Sequence, residues 1–308
     1  MQIYHTLTPA PAPKDSAVAL GYFDGVHSGH RAVLGAAVTY AAQHGLTAAA
    51  FTFELPGNNS LKGGRILSLA QKHTRVAQLG IAQYWEPSFE EFRALLPEDF
   101  VRRVLVDCFH AKAVFCGDNF TFGAYAAGNV ALLEQLCVPY GITVDVVPMA
   151  QYGGQTVSST RIRAALEEGR LDDANAMLGK PYAIDWAVTH GKGIGSGKLG
   201  TPTINQNYPA EALQPCTGVY LTRILLDGQW RPAATGIGRR PTVDSSANAA
   251  VTCETFVPDY VGNVYGQTPL LEFHKYLCPV RKFGSMDELA ALIHHAAEES
   301  KAYFAAQH

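Results

Sequence analysis

The sequence lacks three features that would each assign it to a class of protein. Its 24 lysine and arginine residues and 27 aspartate and glutamate residues give a formal net charge of -3, which leaves no basic excess for binding a nucleic-acid backbone. No apolar run is long enough to span a bilayer, and residues 1–14 lack the basic and apolar segments of a secretory signal. We therefore expect a cytoplasmic protein with neither nucleic acid nor a membrane as partner.

Cysteines are few and scattered, without a closely spaced pair, so the sequence predicts neither a zinc site nor a disulfide framework. We interpret them as mostly buried thiols. At 308 residues, 47% of them hydrophobic, the chain is long enough for two domains with separate cores. The six cysteines are Cys108, Cys116, Cys137, Cys216, Cys253 and Cys278.

Strand and helix patterns alternate over the first 150 residues. Residues 17–23 form an apolar run that predicts a strand, and a helix is predicted from about His30 to Gly45. This alternation predicts a mostly parallel sheet covered on both faces, with ligands beyond the carboxyl ends of the strands. Further strands are predicted over 46–53, 113–116 and 142–147, and further helices over 68–80, from Pro97, from Asn129 and over 159–179.

The pattern changes after Pro181, where helices nearly vanish and short strands alternate with turns. This predicts a small antiparallel β-barrel, against which a terminal helix over 285–307 packs. We therefore expect two domains, 1–180 and 181–308. The predicted strands cover 184–189, 218–226, 233–237, 251–257 and 270–273, with a hairpin turn at 227–228.

The first candidate site covers residues 21–30, between the first strand and the first helix. Backbone N–H groups and the helix dipole attract anions at such a position. His27 and His30 are three residues apart and can face the same way, and Gly29 keeps the backbone close to a ligand. For an isolated pair, two surface histidines on a loop would be the alternative interpretation.

The segment from Phe23 to His30 resembles the His-x-Gly-His signature of nucleotidylyltransferases in the longer form found in bifunctional riboflavin kinase/FAD synthetases. Segments 117–123 and 157–163 fit the same resemblance. It implies a Rossmann-like domain in which FMN attacks the α-phosphorus of ATP while His27 and His30 stabilise the developing charge. It also implies a catalytic Arg163, nucleotide contacts from Gly21, Phe23, Asp24, Gly29, Ser159 and Thr160, and flavin contacts from Asn119 and Phe122.

Two of these assignments have structural alternatives. Asp24 is equally suited to closing the loop as a hydrogen-bond acceptor. Ser159 and Thr160 stand at a predicted helix start, where hydroxyl side chains commonly cap the helix.

The second candidate site is the glycine-rich stretch 190–200. Gly195, Gly197 and Gly200 match the spacing of a dinucleotide fingerprint, but a Rossmann loop opens a helix, whereas strands follow here. A Walker A motif is also excluded, because Leu199 stands where serine or threonine should follow the lysine.

The segment from Gly200 to Asn205 resembles the Gly-x-Pro-Thr-x-Asn motif with which riboflavin kinases bind ATP and magnesium. In an extended segment Thr203 and Asn205 point the same way, as a Mg²⁺ site requires. Segments 236–243 and 251–256 resemble two more kinase segments, and the resemblance implies that Glu254 accepts the proton of the riboflavin 5'-hydroxyl. The implied nucleotide contacts in the loop are Gly193, Gly195, Gly197 and Lys198.

Two segments depart from the family pattern. Residues 53–57, which include Pro56, lack the histidine of Phe-Asp/Glu-Pro-His-Pro, and Cys278 and Val280 replace the arginine and glutamate of Leu/Ile-Arg-x-Glu. The sequence predicts a monomer or weak homo-oligomer that uses ATP and Mg²⁺ to convert riboflavin to FMN and FMN to FAD. An enzyme with one surviving activity, or a regulator that binds flavin or nucleotide without turnover, remains the alternative.

Overall fold

The computed structural model describes residues 1–8, 14–55, 63–190, 203–239, 251–279 and 286–306. The chain divides into two compact units, Met1–Lys62 with Leu69–Ser159 and Gly63–Ser68 with Thr160–His308. A short segment of the first half of the sequence therefore belongs to the second unit. Within the described ranges, no helix has both the length and the apolar character needed to cross a membrane.

The first unit is built on a six-stranded sheet whose neighbouring strands are all parallel, which confirms the predicted α/β class. The strands are β1 (Gln2–Tyr4), β2 (Ser16–Leu20), β3 (Thr47–Phe51), β4 (Gln83–Trp85), β5 (Ala111–Gly117) and β6 (Thr143–Val147). Their order across the sheet is β1-β4-β3-β2-β5-β6. Two short strands, β7 (Gln151–Tyr152) and β8 (Gln155–Thr156), form a separate antiparallel pair.

In the described part of this unit four α-helices accompany the sheet, and local signals in the sequence define several of their ends. The first buries Val33, Leu34, Ala37 and Ala41 and ends at Gly45, which adopts a φ of 67°. Pro97 begins the third helix, and the side chain of Asn129 caps the fourth, both as predicted. The helices are α1 (Ser28–His44), α2 (Leu69–Gln78), α3 (Pro97–Phe100), which continues as a π-helix over Val101–Cys108, and α4 (Val130–Cys137).

The strand order places a crevice at the carboxyl end of the sheet. From β2 the chain proceeds to β3 on one side, whereas from β5 it proceeds to β6 on the other side. The loops that leave β2 and β5 therefore diverge, and ligands of open α/β sheets bind at such a switch point. Residues 21–27 follow β2 and residues 118–123 follow β5, so the fold brings two predicted site segments to this crevice.

The first strand is shorter than predicted. It was expected to continue to Phe23, but β2 ends at Leu20, and Phe23 adopts a left-handed backbone conformation with a φ of 54°. A residue in that conformation cannot continue a strand, because extended backbone requires negative φ. The chain therefore turns three residues earlier than its apolar pattern indicates.

The second unit contains a seven-stranded antiparallel sheet that curls into a half-barrel, in agreement with the predicted small antiparallel barrel. Asp227 and Gly228 both have positive φ and join two neighbouring strands, which confirms the predicted hairpin. The predicted strand 184–189 is instead two strands. The strands are β9 (Tyr182–Ile184), β10 (Val188–Thr189), β11 (Thr203–Asn207), β12 (Gly218–Leu226), β13 (Gln229–Arg239), β14 (Val251–Phe256) and β15 (Leu271–Cys278), in the order β10-β11-β14-β13-β12-β15-β9.

Within the described residues, the other α-helices are α5 (Ser159–Glu167), α6 (Leu171–Leu178) and α7 (Met286–Ala305). The segment predicted to be helical over 159–179 forms two helices, because Gly169, with a φ of 78°, separates α5 from α6. The predicted terminal helix is confirmed. Ala296 and Ala297 of α7 pack against Ala234 and Phe256 of the sheet.

The cap of α4 gives a test of the local structure. The side-chain oxygen of Asn129 accepts a hydrogen bond of 3.0 Å from the backbone N–H of Leu132. We expect Asn129→Ala to lower the free energy of unfolding by about 1 kcal/mol, because an N–H at the helix start loses its partner. Urea unfolding measures this change. Asn129→Asp retains the acceptor and is the matched control, and equal losses in both variants would contradict the cap.

Candidate functional site

The turn between β2 and α1 has an unusual backbone. Phe23, Gly25 and Val26 have φ angles of 54°, 82° and 43°, although side-chain-bearing residues rarely adopt positive φ and β-branched residues almost never do. Gly21 contributes by having no side chain, since a Cβ there would lie 2.8 Å from the ring of Phe23. Such strained conformations persist where the surrounding structure enforces them, frequently at functional sites.

The turn delivers His27 and His30 to the start of α1 as a stacked pair. Their ring centroids are 3.6 Å apart, with 17° between the ring planes. Nδ1 of His27 accepts a hydrogen bond of 3.3 Å from the backbone N–H of His30 and so caps the helix. A Cβ at Gly29 would lie 3.3 Å from the His27 ring, which explains the glycine between the histidines.

Both imidazoles are neutral near neutral pH. Burial, with a smaller contribution from Arg31, lowers the pKa of His27 from 6.5 to about 4. Burial, followed by His27 and Lys72, lowers the pKa of His30 well below its ordinary value. Because Nδ1 of neutral His27 accepts a hydrogen bond, its Nε2 carries the proton and is available as a donor.

The Nδ1 atom of His30 is a candidate contact for a ligand. The atom is buried, and no residue in the described part of the chain forms a hydrogen bond with it. Buried polar atoms in native proteins are nearly always paired, and leaving one unpaired is costly. A ligand hydrogen bond at this atom would remove that cost.

Three other predicted site residues, Ser159, Asn119 and Phe122, belong to the first unit. Oγ of Ser159 donates a hydrogen bond of 2.9 Å to the backbone carbonyl of Asp24, which attaches the start of α5 to the turn. Asn119 is exposed directly after β5. Phe122 is buried in the aromatic core beside Phe100, where it has a packing role in addition to the predicted flavin contact.

Thr160 and Arg163 belong to the second unit. Thr160 is exposed at the first turn of α5. Arg163 is buried, and its Nε donates a hydrogen bond of 2.9 Å to the carbonyl of Gly64. A Cβ at Gly63 would lie 3.3 Å from Cδ of Arg163. In this structure, therefore, Arg163 contacts the segment Gly63–Ser68.

The predicted kinase residues lie on adjacent strands of the half-barrel. Asn205 of β11 is directly opposite Glu254 of β14, which is in turn opposite Gly236 of β13. Opposed residues of an antiparallel pair project to the same face, as do residues two apart on one strand. Thr203, Asn205 and Glu254 consequently share a face, and Nδ2 of Asn205 is 3.4 Å from Oγ1 of Thr203.

Several predicted residues lie outside the described part of the chain. They are Gly193, Gly195, Gly197 and Lys198 of the glycine-rich loop, and Pro56 and Val280 of the two departures.

Comparisons with known proteins decide the family. A family model described as FAD synthetase matches residues 10–161, and one described as riboflavin kinase matches residues 178–304. The bifunctional riboflavin kinase/FMN adenylyltransferase of Pseudomonas fluorescens is 31% identical over 92% of this chain and 91% of its own length. That of Bacillus subtilis strain 168 is 32% identical over 94% and 92%.

The chain belongs to the bifunctional riboflavin kinase/FMN adenylyltransferase family. The family assignment confirms the resemblance found in the sequence motifs. The chain is therefore an enzyme with an FAD synthetase region followed by a riboflavin kinase region. A crystal structure described as a macrolide-efflux protein from Streptococcus pneumoniae has a TM-score of 0.85 over 97% of this chain and 98% of that one. Its sequence identity is 24%, and this likeness shows the fold alone.

The sequence did not predict a charged cluster that lies near the histidine pair. Lys72 of α2 forms a 3.0 Å ion pair with Glu86, which also contacts Nε2 of His73 at 2.7 Å. Lys72 and Glu86 are both buried. One signal could have found Lys72, because it lies four residues before the core residue Val76 and so on the buried face of α2.

The neutral state of His27 predicts a loss of stability in acid. The unfolded chain binds a proton at His27 with a pKa of 6.5 and the folded chain with a pKa of about 4. The contribution of neutral His27 to the free energy of unfolding is therefore fully present above pH 6.5. It is lost as the pH falls to about 4, because the unfolded state takes up more protons than the folded state in that window. The difference between the two pKa values corresponds to about 3 kcal/mol in the free energy of unfolding.

Urea unfolding across this pH window measures the effect. In His27→Asn, which keeps a capping side chain but does not titrate, we expect a shallower pH dependence than in the parent. The same pH dependence in both proteins would contradict a buried, neutral His27.

Proposed function

We propose that the chain carries out two successive transfers from ATP. The γ-phosphoryl group of one ATP goes to the 5'-hydroxyl of riboflavin and gives FMN, and the adenylyl group of a second ATP goes to FMN and gives FAD and pyrophosphate. Residues 1–180 perform the adenylyl transfer and residues 181–308 the phosphorylation. The observation that carries the proposal is the match of two successive family models to separate regions of this one chain.

In the adenylyl transfer, a phosphate oxygen of FMN attacks the α-phosphorus of ATP, a new P–O bond forms, and the bond to pyrophosphate breaks. The neutral His27 and His30 act as hydrogen-bonding groups toward the oxygens of the transferring group. Preorganised donors of this kind stabilise charge as it develops. No proton has to leave either imidazole, because the FMN phosphate is already an anionic nucleophile.

Further residues of this site are assigned on the family resemblance and their positions. Gly21, Phe23 and Asp24 lie in the turn, Gly29 lies at the start of α1, and the exposed Asn119 follows β5. Ser159 contacts the turn through the Asp24 carbonyl. We assign nucleotide binding to Gly21, Phe23, Asp24, Gly29, Ser159 and Thr160, the pyrophosphate to Arg163, and the flavin to Asn119 and Phe122.

In the phosphorylation, the carboxylate of Glu254 accepts the proton of the riboflavin 5'-hydroxyl as its oxygen attacks the γ-phosphorus of ATP and ADP leaves. Glu254 is exposed on its strand and can therefore reach a substrate. The glycine-rich loop, through Gly193, Gly195, Gly197 and Lys198, is the proposed contact for the ATP phosphates.

Mg²⁺ fits the oxygen donors on this face. Thr203 and Asn205 offer a hydroxyl and an amide oxygen, which are hard ligands, and their side chains approach to 3.4 Å. Within the described ranges, no group of three His, Cys, Asp or Glu residues is arranged to hold a metal, which suits an ion that keeps waters and binds substrate phosphates. When bound, Mg²⁺ would neutralise charge on the ATP phosphates.

We also propose that the enzyme acts in the cytoplasm as a monomer or weak homo-oligomer. The six cysteines are all free thiols, as is usual in a reducing compartment.

Separate assays of the two steps test the assignment of the first site. We expect His27→Asn and His30→Ala each to slow FAD formation from FMN and ATP by about a hundredfold, because each removes a group that stabilises the transition state. FMN formation from riboflavin should be unchanged. His44→Ala, which alters an exposed histidine of the same helix, is the control, and FAD formation at the parent rate in the variants would refute the assignment.

The proposed base of the second site is tested by the converse experiment, in which FMN formation should fall and FAD formation should be retained. We expect Glu254→Gln to slow FMN formation by at least about a hundredfold, because the amide cannot accept the proton. FAD formation from supplied FMN should be retained. Chromatographic separation of the flavins measures both rates, and Glu298→Gln on α7, where Glu298 is exposed, is the control. An unchanged kinase rate in Glu254→Gln would exclude Glu254 as the base.

A further inference from the structure

The buried cluster of Lys72, Glu86 and His73 plays no part in the steps described above. Nζ of Lys72 is 3.0 Å from Oε1 of Glu86, and Nε2 of His73 is 2.7 Å from Oε2 of the same carboxylate. Lys72 is 7% exposed and Glu86 is 1% exposed. Both oxygens of Glu86 are thus occupied, and the lysine is fixed within the first unit.

A gain in stability does not by itself explain the buried ion pair of Lys72 and Glu86. The cost of removing two charges from water can exceed their mutual attraction, and apolar replacements of buried ion pairs are often neutral or stabilising. The position of the cluster suggests another reason. Glu86 follows β4 and Thr52 follows β3, so both stand at the carboxyl end of the parallel sheet, where the crevice lies.

A directed chain of hydrogen bonds leads from this cluster to the turn between β2 and α1. Nζ of Lys72 donates to Oγ1 of Thr52 at 3.4 Å, and Oγ1 of Thr52 donates to the backbone carbonyl of Tyr22 at 2.9 Å. Nζ also lies 5.3 Å from the centroid of the Tyr22 ring, a distance at which a cation is attracted to an aromatic face. The next residue, Phe23, has positive φ and contacts the His30 ring edge-on at 5.4 Å.

We propose that Lys72, fixed by Glu86, is a positioning residue for adenylyl transfer, which stabilises the turn carrying His27 and His30 and supplies a permanent positive charge close to them. The inference rests on the proposed role of the two histidines in that step. A fixed cation at this place attracts the phosphates of ATP and FMN, and it needs no rearrangement when charge develops on the transferring group.

The electrostatics of His30 agree with this placement. In the described part of the chain, the groups whose charge acts on its pKa are His27 in the same turn and Lys72 of α2, and Arg31 acts in turn on His27. Burial is the largest cause of the lowered pKa of His30, and the positive charge of Lys72 adds to it. Removal of Lys72 should therefore raise the pKa of His30.

The test compares three changes at the cluster. Lys72→Met leaves the Glu86 carboxylate buried without its lysine, which alone can destabilise the fold. The double variant Lys72→Met/Glu86→Gln removes both charges together and is the informative one, while Lys72→Arg keeps the positive charge. Lys112→Met is the matched control, because Lys112 pairs with Asp15 at 3.5 Å on the exposed surface of the same unit.

Rates of FAD formation from supplied FMN and ATP are measured as a function of pH. For the double variant we expect kcat to fall about tenfold and the acid limb of the pH profile to move to higher pH. We expect Lys72→Arg to recover most of the rate, and FMN formation from riboflavin to match the parent in every variant. Circular dichroism and thermal unfolding confirm that the variants are folded.

Two outcomes separate this inference from the proposed function. If the parent forms FAD while the folded double variant matches Lys112→Met in kcat and pH profile, the role of Lys72 is excluded and the proposed function stands. If the parent forms no FAD from FMN, the proposed adenylyl transfer is excluded, and the role of Lys72 with it.

Discussion

The reversal of the chain between β2 and α1 is the constraint on which the first site depends. Phe23 and Val26 adopt positive φ, which residues with side chains maintain only when neighbouring structure compensates. Two hydroxyls provide support, since Thr52 donates to the Tyr22 carbonyl and Ser159 to the Asp24 carbonyl. Both come from outside the turn, so the geometry of the histidine pair depends on neighbouring structure as well as on the glycines and the cap of its own segment.

Burial then determines how the site handles charge. Burial lowers the pKa of both stacked histidines, so near neutral pH they are neutral hydrogen-bonding groups. Lys72 forms a buried ion pair with Glu86. In the proposed mechanism, directional contact and positive charge would thus come from side chains that are distant in sequence.

Local signals predicted what depends on local physics. Gly45 ends α1 and Asn129 caps α4 because a helix end requires those residue types, and the site motifs were found because each is continuous. The end of β2 was missed, since the left-handed backbone of Phe23 is not visible in the apolar pattern of residues 17–23. The pair of Lys72 and Glu86 was missed for a similar reason, because the two residues, 14 apart in sequence, meet only through the sheet.

The second candidate site is sensitive to changes in the length of its strands. Asn205, Glu254 and Gly236 are aligned across three strands, and side chains alternate between the two faces of a strand with a period of two residues. Inserting or deleting one residue within β11 or β14 would turn Asn205 or Glu254 toward the opposite face. This part of the gene should therefore tolerate almost no change in length, whereas the hairpin at Asp227 and Gly228 can lengthen without disturbing the alignment.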